Sequence, residues 1–286
     1  MIQVISASHY LQTVPDDTGL PTLDSTLKQL CREPFRRIDR FIQLALLGSA
    51  RCAASQSLRA DCGIYLGSGL GPIGNNAVIQ KRLIHDHEIP KPFNFINTLG
   101  SAAGYYVAKN LDLQGQNLFI SRRGASLQAV LSMAMADLTL GVVSQALVGV
   151  VEEVTLPLAE HRRRQGLAAG MLMAEGSDWL LLQTAGEGGR QLHLQRFAAF
   201  VELQTVLKSA WCDGDTVCCA RSMEQPMADT LQQDYGSSTL PASQRGFHDS
   251  LETVSLAEFV VEGRQKNLFL ADGDTERGWS LFHLGA

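Results

Sequence analysis

An α/β fold is what this 286-residue sequence predicts, on three observations. Short apolar runs that read as buried strands recur along the chain, among them Cys62 to Leu66, Leu118 to Ile120 and Ala146 to Val150. Between them lie stretches with apolar residues at helical spacing. Glycine-rich turns join the two kinds of segment, and strands alternating with helices define the class.

Met1 to Ser6 reads as an edge strand, and residues 13–25, rich in Pro, Asp, Thr and Gly, as loop. Phe35 to Ala54 reads as a helix, with an apolar stripe opposite arginines. The strand Cys62 to Leu66 runs into Gly67-Ser-Gly-Leu-Gly-Pro-Ile-Gly74, which contains G-x-G-x-x-G. A dinucleotide site would also need a helix directly after, a second strand and an acidic residue about 20 positions on. Pro72 sits inside the motif and Ile84 to Pro92 is not strand-like, so the reading is a tight structural turn. His85 and His87 flank Asp86 on that segment; adjacent and loop-borne, they read as surface residues rather than a metal site.

Phe93 to Lys109 reads as one helix with small residues at Gly100 to Gly104. Then comes Asn117-Leu-Phe-Ile-Ser-Arg-Arg-Gly-Ala-Ser126: a strand, two arginines, a small-residue turn and a helix to about Leu140. That geometry lifts one side chain to a helix N-terminus, where free N–H groups and the helix dipole favour negative charge. The residue at the elbow is Gly124. A strand from Ala146 ends at Glu152-Glu153, and Leu167 to Ala174 with Trp179 to Gln183 reads as a hairpin across Glu175–Asp178. Further on, Leu192 to Phe200 reads as strand, Val201 to Ala210 as helix, Val217 to Cys219 as strand and Met227 to Gln233 as a helix ended by Gly236. Residues 237–246 read as loop, Leu251 to Glu262 as a helix closed by Gly263, and 268–270 and 279–284 as closing strands.

Composition narrows the function. Net charge is −5 at 45% hydrophobic residues, which argues against nucleic acid as the main partner. Basic residues cluster at Arg36, Arg37 and Arg40, at Arg122-Arg123 and at Arg162 to Arg164. The six cysteines show no zinc spacing and no disulfide framework. No cofactor signal is present. The longest apolar run, Leu138 to Val151, is polar-interrupted and too short to span a bilayer, and the N-terminus lacks the layout of a signal peptide. A cytoplasmic protein without a membrane span is the expectation.

At this point the sequence resembles the β-ketoacyl-acyl-carrier-protein synthases of the thiolase fold. Arg37-Ile-Asp-Arg-Phe-Ile-Gln-Leu-Ala45 resembles their R-x-D-R-F-x-x-x-A helix opening, and Ile64 to Gly71 their glycine-rich strand end. Phe93 to Gly104, with Asn97, is similar to the helix lining their dimer interface, and Leu113 to Asn117 to the turn into the nucleophile strand. Ala146 to Glu152 resembles the strand ending in G-G-x-E, with a valine replacing one glycine. The resemblance implies a layered α/β/α/β/α architecture, with an N-terminal half at 1–190 and a shortened C-terminal half at 191–286.

The departures from the family carry the functional expectation. A ketosynthase needs a thiolate to hold the acyl chain and two histidines to drive decarboxylation. The resemblance puts Gly124 at the cysteine position, and Ala220 and Phe247 at the histidine positions. It therefore implies a catalytically inactive subunit of the chain-length-factor type, similar to those of bacterial aryl polyene clusters. Such a subunit would pair with an active ketosynthase, meet an acyl carrier protein directly or through that partner, and shape the acyl tunnel. Phe93, Phe95, Asn97, Asn117, Leu118, Phe119, Ile120 and Ser121 are the expected interface or tunnel residues. Two other readings stand beside it. One is a serine acyltransferase or thioesterase using Ser121 or Ser126 with His248 as base. The other is a homodimeric scaffold that docks acidic carrier proteins on the arginine clusters at 36–40 and 162–164.

Overall fold

A computed structural model describes residues 1–184, 189–220, 222–236, 246–248, 251–263 and 266–285, with the side chains of 251–255 left aside. The strands are Ile2–Ser8 (β1), Leu11–Val14 (β2), Gly63–Gly67 (β3), Asn117–Ile120 (β4), Gln145–Glu152 (β5), Met173–Thr184 (β6), Arg190–Phe197 (β7), Thr216–Cys219 (β8), Leu268–Asp274 (β9) and Gly278–Leu284 (β10). The helices are Asp24–Leu30 (α1), Arg40–Ala53 (α2), Ile73–Ile84 (α3), Pro92–Ile96 (α4), Gly100–Leu111 (α5), Ser126–Leu140 (α6), Leu158–Arg164 (α7), Phe200–Ala210 (α8), Gln225–Tyr235 (α9) and Leu251–Val261 (α10).

Among the described residues the strands join in the order β4-β3-β5-β6-β1-β7-β10-β9-β8, with β2 paired to β6. β3 runs parallel to both β4 and β5, and β8 parallel to β9; the other neighbours are antiparallel. The two halves of this path meet through a short ladder, Ile2–Val4 against Arg190–Leu192.

Apolar side chains sort the helices into layers. Phe41, Leu44 and Leu47 of α2, with Val107 of α5, pack on Leu147, Trp179 and Leu181 of the N-terminal strands. Leu127, Val130 and Leu131 of α6 and Leu256 and Phe259 of α10 join Val148 and Leu180 to Leu268 and Phe282. Leu203 and Leu207 of α8 and Leu231 of α9 cover Val217, Phe269 and Leu281. The result is helix, sheet, helix, sheet, helix. The middle layer is where α10 touches β1 and β6 on one side and β8 and β9 on the other.

Most expected elements are present, among them β3, β5, α2, α6 and the helix closed by Gly263 at φ +62°. Three expectations are corrected. The hairpin across Glu175–Asp178 is one unbroken strand, β6. Its polar residues are buried because distant groups satisfy them: Arg40 pairs with Glu175, the Ser177 hydroxyl donates to Leu44 O at 2.6 Å, and His9 meets Asp178. The strand at the N-terminus is interior rather than an edge, held between β6 and β7. The helix expected over Phe93 to Lys109 is two helices, α4 and α5. Asn97 at the break is buried and donates to Arg37 O at 3.0 Å. The expected loop at 237–246 lies outside the described residues as far as 245. Among the described residues no helix is long and apolar enough to cross a membrane.

Trp179 fixes the packing between α2 and the sheet. It is fully buried, and a Cβ at Gly48 or Gly149 would sit 2.4 Å or 2.3 Å from its ring. Neither the helix nor the strand can retreat without opening the core, and overpacked sites of this kind cost about 1–3 kcal/mol. Gly149→Ala is therefore expected to lower the unfolding free energy by about 1–3 kcal/mol, measured by urea denaturation of the purified chain.

Candidate functional site

The parallel strands β3, β4 and β5 end on the same side of the sheet, and their three exits form the site. After β3 the chain turns through the glycine segment, whose backbone N–H groups point at two carboxylates from the end of β5. Gly69 N–H donates to Glu152 Oε1 at 2.5 Å and Gly74 N–H to Glu153 Oε1 at 2.6 Å. The Ser68 hydroxyl donates to Glu152 Oε2 at 3.1 Å and accepts from Gly71 N–H at 2.8 Å. A phosphate would need those same donors. Protein carboxylates hold them, so the segment is a structural turn and not a nucleotide cradle, although α3 does follow it directly.

After β4 the chain makes a single tight helical turn over Arg123–Ala125 and enters α6. Arg123 takes a left-handed φ of +51°, costly for a residue with a Cβ. Ser126 pins the turn. Its hydroxyl is fully buried, donates toward Ser68 O at 2.9 Å and Arg123 O at 2.7 Å, and accepts from Arg122 N–H at 2.9 Å. Ser121 donates to Gly69 O at 3.2 Å. Neither serine hydroxyl is bonded to an imidazole. His248 lies against β6, its Nε2 3.1 Å from where a Gly176 Cβ would be. Burial first, then the charge of His9, pushes it down to about 3. The expected serine and base are therefore present but not brought together.

The C-terminal half reaches the elbow through Ser222, whose hydroxyl is 3.4 Å from Gly124 O and donates to Asp272 Oδ1 at 2.6 Å. Ala220 is buried in the central core. Phe247 is buried in a separate cluster with Val154, Leu158 and Met173, bridged to β6 by its backbone. Beside the elbow a cavity of about 430 Å³ opens between α6 and the β9–β10 hairpin.

The expected interface residues divide. Asn117 is exposed on β4, and Leu118 and Ile120 turn toward the central core. Phe119 points the other way: its ring lies 2.2 Å from where a Gly100 Cβ would be and meets Phe41 edge-on at 6.2 Å. Phe93 lies under the Arg37 guanidinium at 5.4 Å, whereas Phe95 is exposed. The arginine clusters are largely engaged within the chain. Arg40 forms a fork on buried Glu175 and donates to Pro21 O, Arg162 donates to Met171 O, and Arg163 and Arg164 share Glu160. Among the described residues no group of three His, Cys, Asp or Glu is placed to hold a metal.

Two features escaped the sequence reading. One is Gln128, buried in the cavity wall; it lies four residues beyond Gly124, so helical spacing from the elbow could have marked it. The other is a buried acid cluster, in which Asp39, Glu175 and the cation Arg40 act on Glu153. Asp39 caps α2 by accepting Ile42 N–H at 3.0 Å. Burial pushes Asp39 up to about 6 and Glu153 up to about 8, the latter helped by its acidic neighbours. Partners so distant in sequence leave no local signal.

No protein-family model and no curated protein matches the sequence. Solved structures do match, over nearly the whole chain. The ishigamide ketosynthase/chain length factor is 16% identical with a TM-score of 0.70, covering 99% of this chain and 98% of that one. A type II polyketide synthase acyl-carrier protein in complex with its ketosynthase is 13% identical at TM-score 0.66, covering 100% and 99%. A ketosynthase in complex with its chain length factor from Xenorhabdus doucetiae is 12% identical at TM-score 0.57, covering 100% and 99%. At these identities the likeness establishes the fold, which is thiolase-like.

The acid cluster has a pH consequence. A carboxyl whose folded pKa is raised stabilises fully below its unfolded value and loses that contribution as pH rises through the folded one. For Glu153 the window runs from 4.5 to about 8. Stability is expected to fall across that window, and Glu153→Gln to flatten the fall, as read from urea midpoints at stepped pH.

Proposed function

We propose that this chain is a non-condensing subunit of the chain-length-factor type, which pairs with an active β-ketoacyl-acyl-carrier-protein synthase. One observation carries the reading. β4 lies at the end of the strand order and leads directly into an elbow occupied by Gly124. An edge strand presents a row of backbone donors and acceptors that invites pairing with another chain. Thiolase-fold dimers join through this strand, so the element that makes the dimer is kept and the nucleophile is not.

The surroundings support pairing. Phe95, Ile96, Leu99 and Tyr105 on and between α4 and α5 are exposed, Phe95 at 65%. An exposed apolar group of this kind marks an interaction surface. The chemistry points the same way. Gly124 offers no thiolate, and Ala220 and Phe247 offer no imidazole, so neither acyl transfer to the protein nor decarboxylation has a group to perform it. Covalent attachment of the acyl chain therefore belongs to the partner, this chain supplies tunnel wall, and the carrier protein is met directly or through the partner. Likeness to two ketosynthase and chain-length-factor structures supports that assignment.

Co-expression with the ketosynthase encoded nearest to it is expected to give a one-to-one heterodimer by native mass. Phe95→Asp, which puts a charge on the exposed apolar group, is expected to reduce co-purification. A stable homodimer that ignores the ketosynthase would overturn the reading. Gly124→Cys is expected to add one alkylatable thiol to those of the parent chain, which already exposes Cys212, without condensing activity, because the histidines are still missing. Turnover by that variant without its partner would show that the remaining machinery is intact.

A further inference from the structure

The cavity beside the elbow holds a polar group with nothing to bind. Gln128 is 6% exposed, and among the described residues neither its Oε1 nor its Nε2 has a hydrogen-bond partner. It lines the cavity together with Arg122, Arg196 and Arg277. Leaving a buried amide unsatisfied is costly, so the side chain is placed for a guest that enters the cavity.

Charge says what kind of guest. Arg277 is engaged by Asp274 and Ser222 O, whereas Arg122 and Arg196 are exposed. The one carboxylate in the wall, Asp272, is bonded to Ser222. With Arg277 balanced by Asp274, the two guanidiniums of Arg122 and Arg196 against the Asp272 carboxylate leave the wall positive. The cavity also lies at the N-terminus of α6, a helix of 15 residues, whose dipole favours an anion. Apart from Ser132 and Ser280, the remaining side chains are apolar: Ile120, Ala129 and Met133 on one side, Phe197 and Trp279 on the other.

We propose that this cavity binds a free carboxylate borne on an apolar chain. The carboxylate sits between the Gln128 amide N–H and the guanidiniums of Arg122 and Arg196, and the chain runs along Met133 and Phe197. Water entering with the guest, or a hydroxyl on it, donates to Gln128 Oε1. No covalent step is involved. The proposal rests on the reading of the elbow as non-catalytic, yet it is tested by a different measurement from subunit pairing.

The test is titration calorimetry on the full chain, alone or as the complex that co-purifies, with octanoate, octanol and inorganic phosphate as probes. Octanoate is expected to bind saturably at one site, with octanol and phosphate each roughly tenfold weaker or more, since charge-assisted hydrogen bonds and apolar burial both contribute. Arg196→Met and Gln128→Leu are each expected to weaken octanoate roughly tenfold. Arg196 is on the surface, so its variant keeps the fold if Gln128→Leu does not. Equal binding of octanol, phosphate as tight as octanoate, unchanged affinity in Arg196→Met, or no saturation would each overturn the proposal. Native mass reports pairing separately, so a heterodimer that fails to bind octanoate overturns only this inference.

Discussion

The arrangement at the strand ends depends on two carboxylates meeting a row of backbone N–H groups. Glu152 and Glu153 leave the end of β5 and take the donors of Gly69 and Gly74, with Ser68 linking Glu152 to Gly71. Burying a carboxylate is expensive unless hydrogen bonds replace the lost water, and buried backbone donors need partners of their own. Each demand meets the other here. Once the glycine segment is held, Ser68 O is in place to accept from Ser126, and Gly69 O from Ser121. The exit of β4 and the start of α6 are thereby tied to the ends of β3 and β5.

The sequence showed the parts of this site that are local. The apolar run of β3, the glycines after it, the small-residue elbow and the apolar length of α6 all have a period or a composition that a short window can detect. The position of Gly124 could be located for the same reason. β6 could not, because Glu175, Ser177 and Asp178 look like a turn when their partners are out of sight. Arg40 lies 135 residues from Glu175, and His9 lies 169 from Asp178. β1 was recognised as a strand, but its place in the sheet is decided by pairing with residues beyond 178, and alternation within seven residues carries no such information. The arginines at 36–40 and 162–164 read as docking patches for a related cause, since a cation's counterpart is invisible until the chain is folded.

Buried acids have the opposite relation to function from the one their pKa values suggest. Perturbed groups often mark active sites, and Glu153 is among the most strongly perturbed carboxyls of the described residues. Its partners, however, are a backbone N–H, Arg40 and two other carboxyls, all of them structural. Arg40 sits between α2 and β6 and also holds Pro21 O. The cluster thus joins the loop before α1, the start of α2, the end of β5 and the start of β6. A buried network with fewer cations than anions is held by geometry rather than by net attraction, which is why protonation of one member suits it.

The elbow itself raises the question of why its backbone is kept in a conformation that brings no reagent. Arg123 carries the left-handed φ while glycine, which would accept it at little cost, is the next residue. The turn is therefore not relaxed around the local sequence; it is imposed by what lies on both sides. β4 must end level with β3, since Ser68 N–H donates to Ile120 O at 3.2 Å, and α6 must begin where Ser126 can reach Ser68 O. Between those two anchors the chain has only Ser121 to Ala125 in which to reverse from the sheet into the middle layer. The requirement comes from the sheet and its central helices and not from a side chain at position 124. That separation leaves the edge of β4 and the cavity wall as the surfaces presented beside the turn.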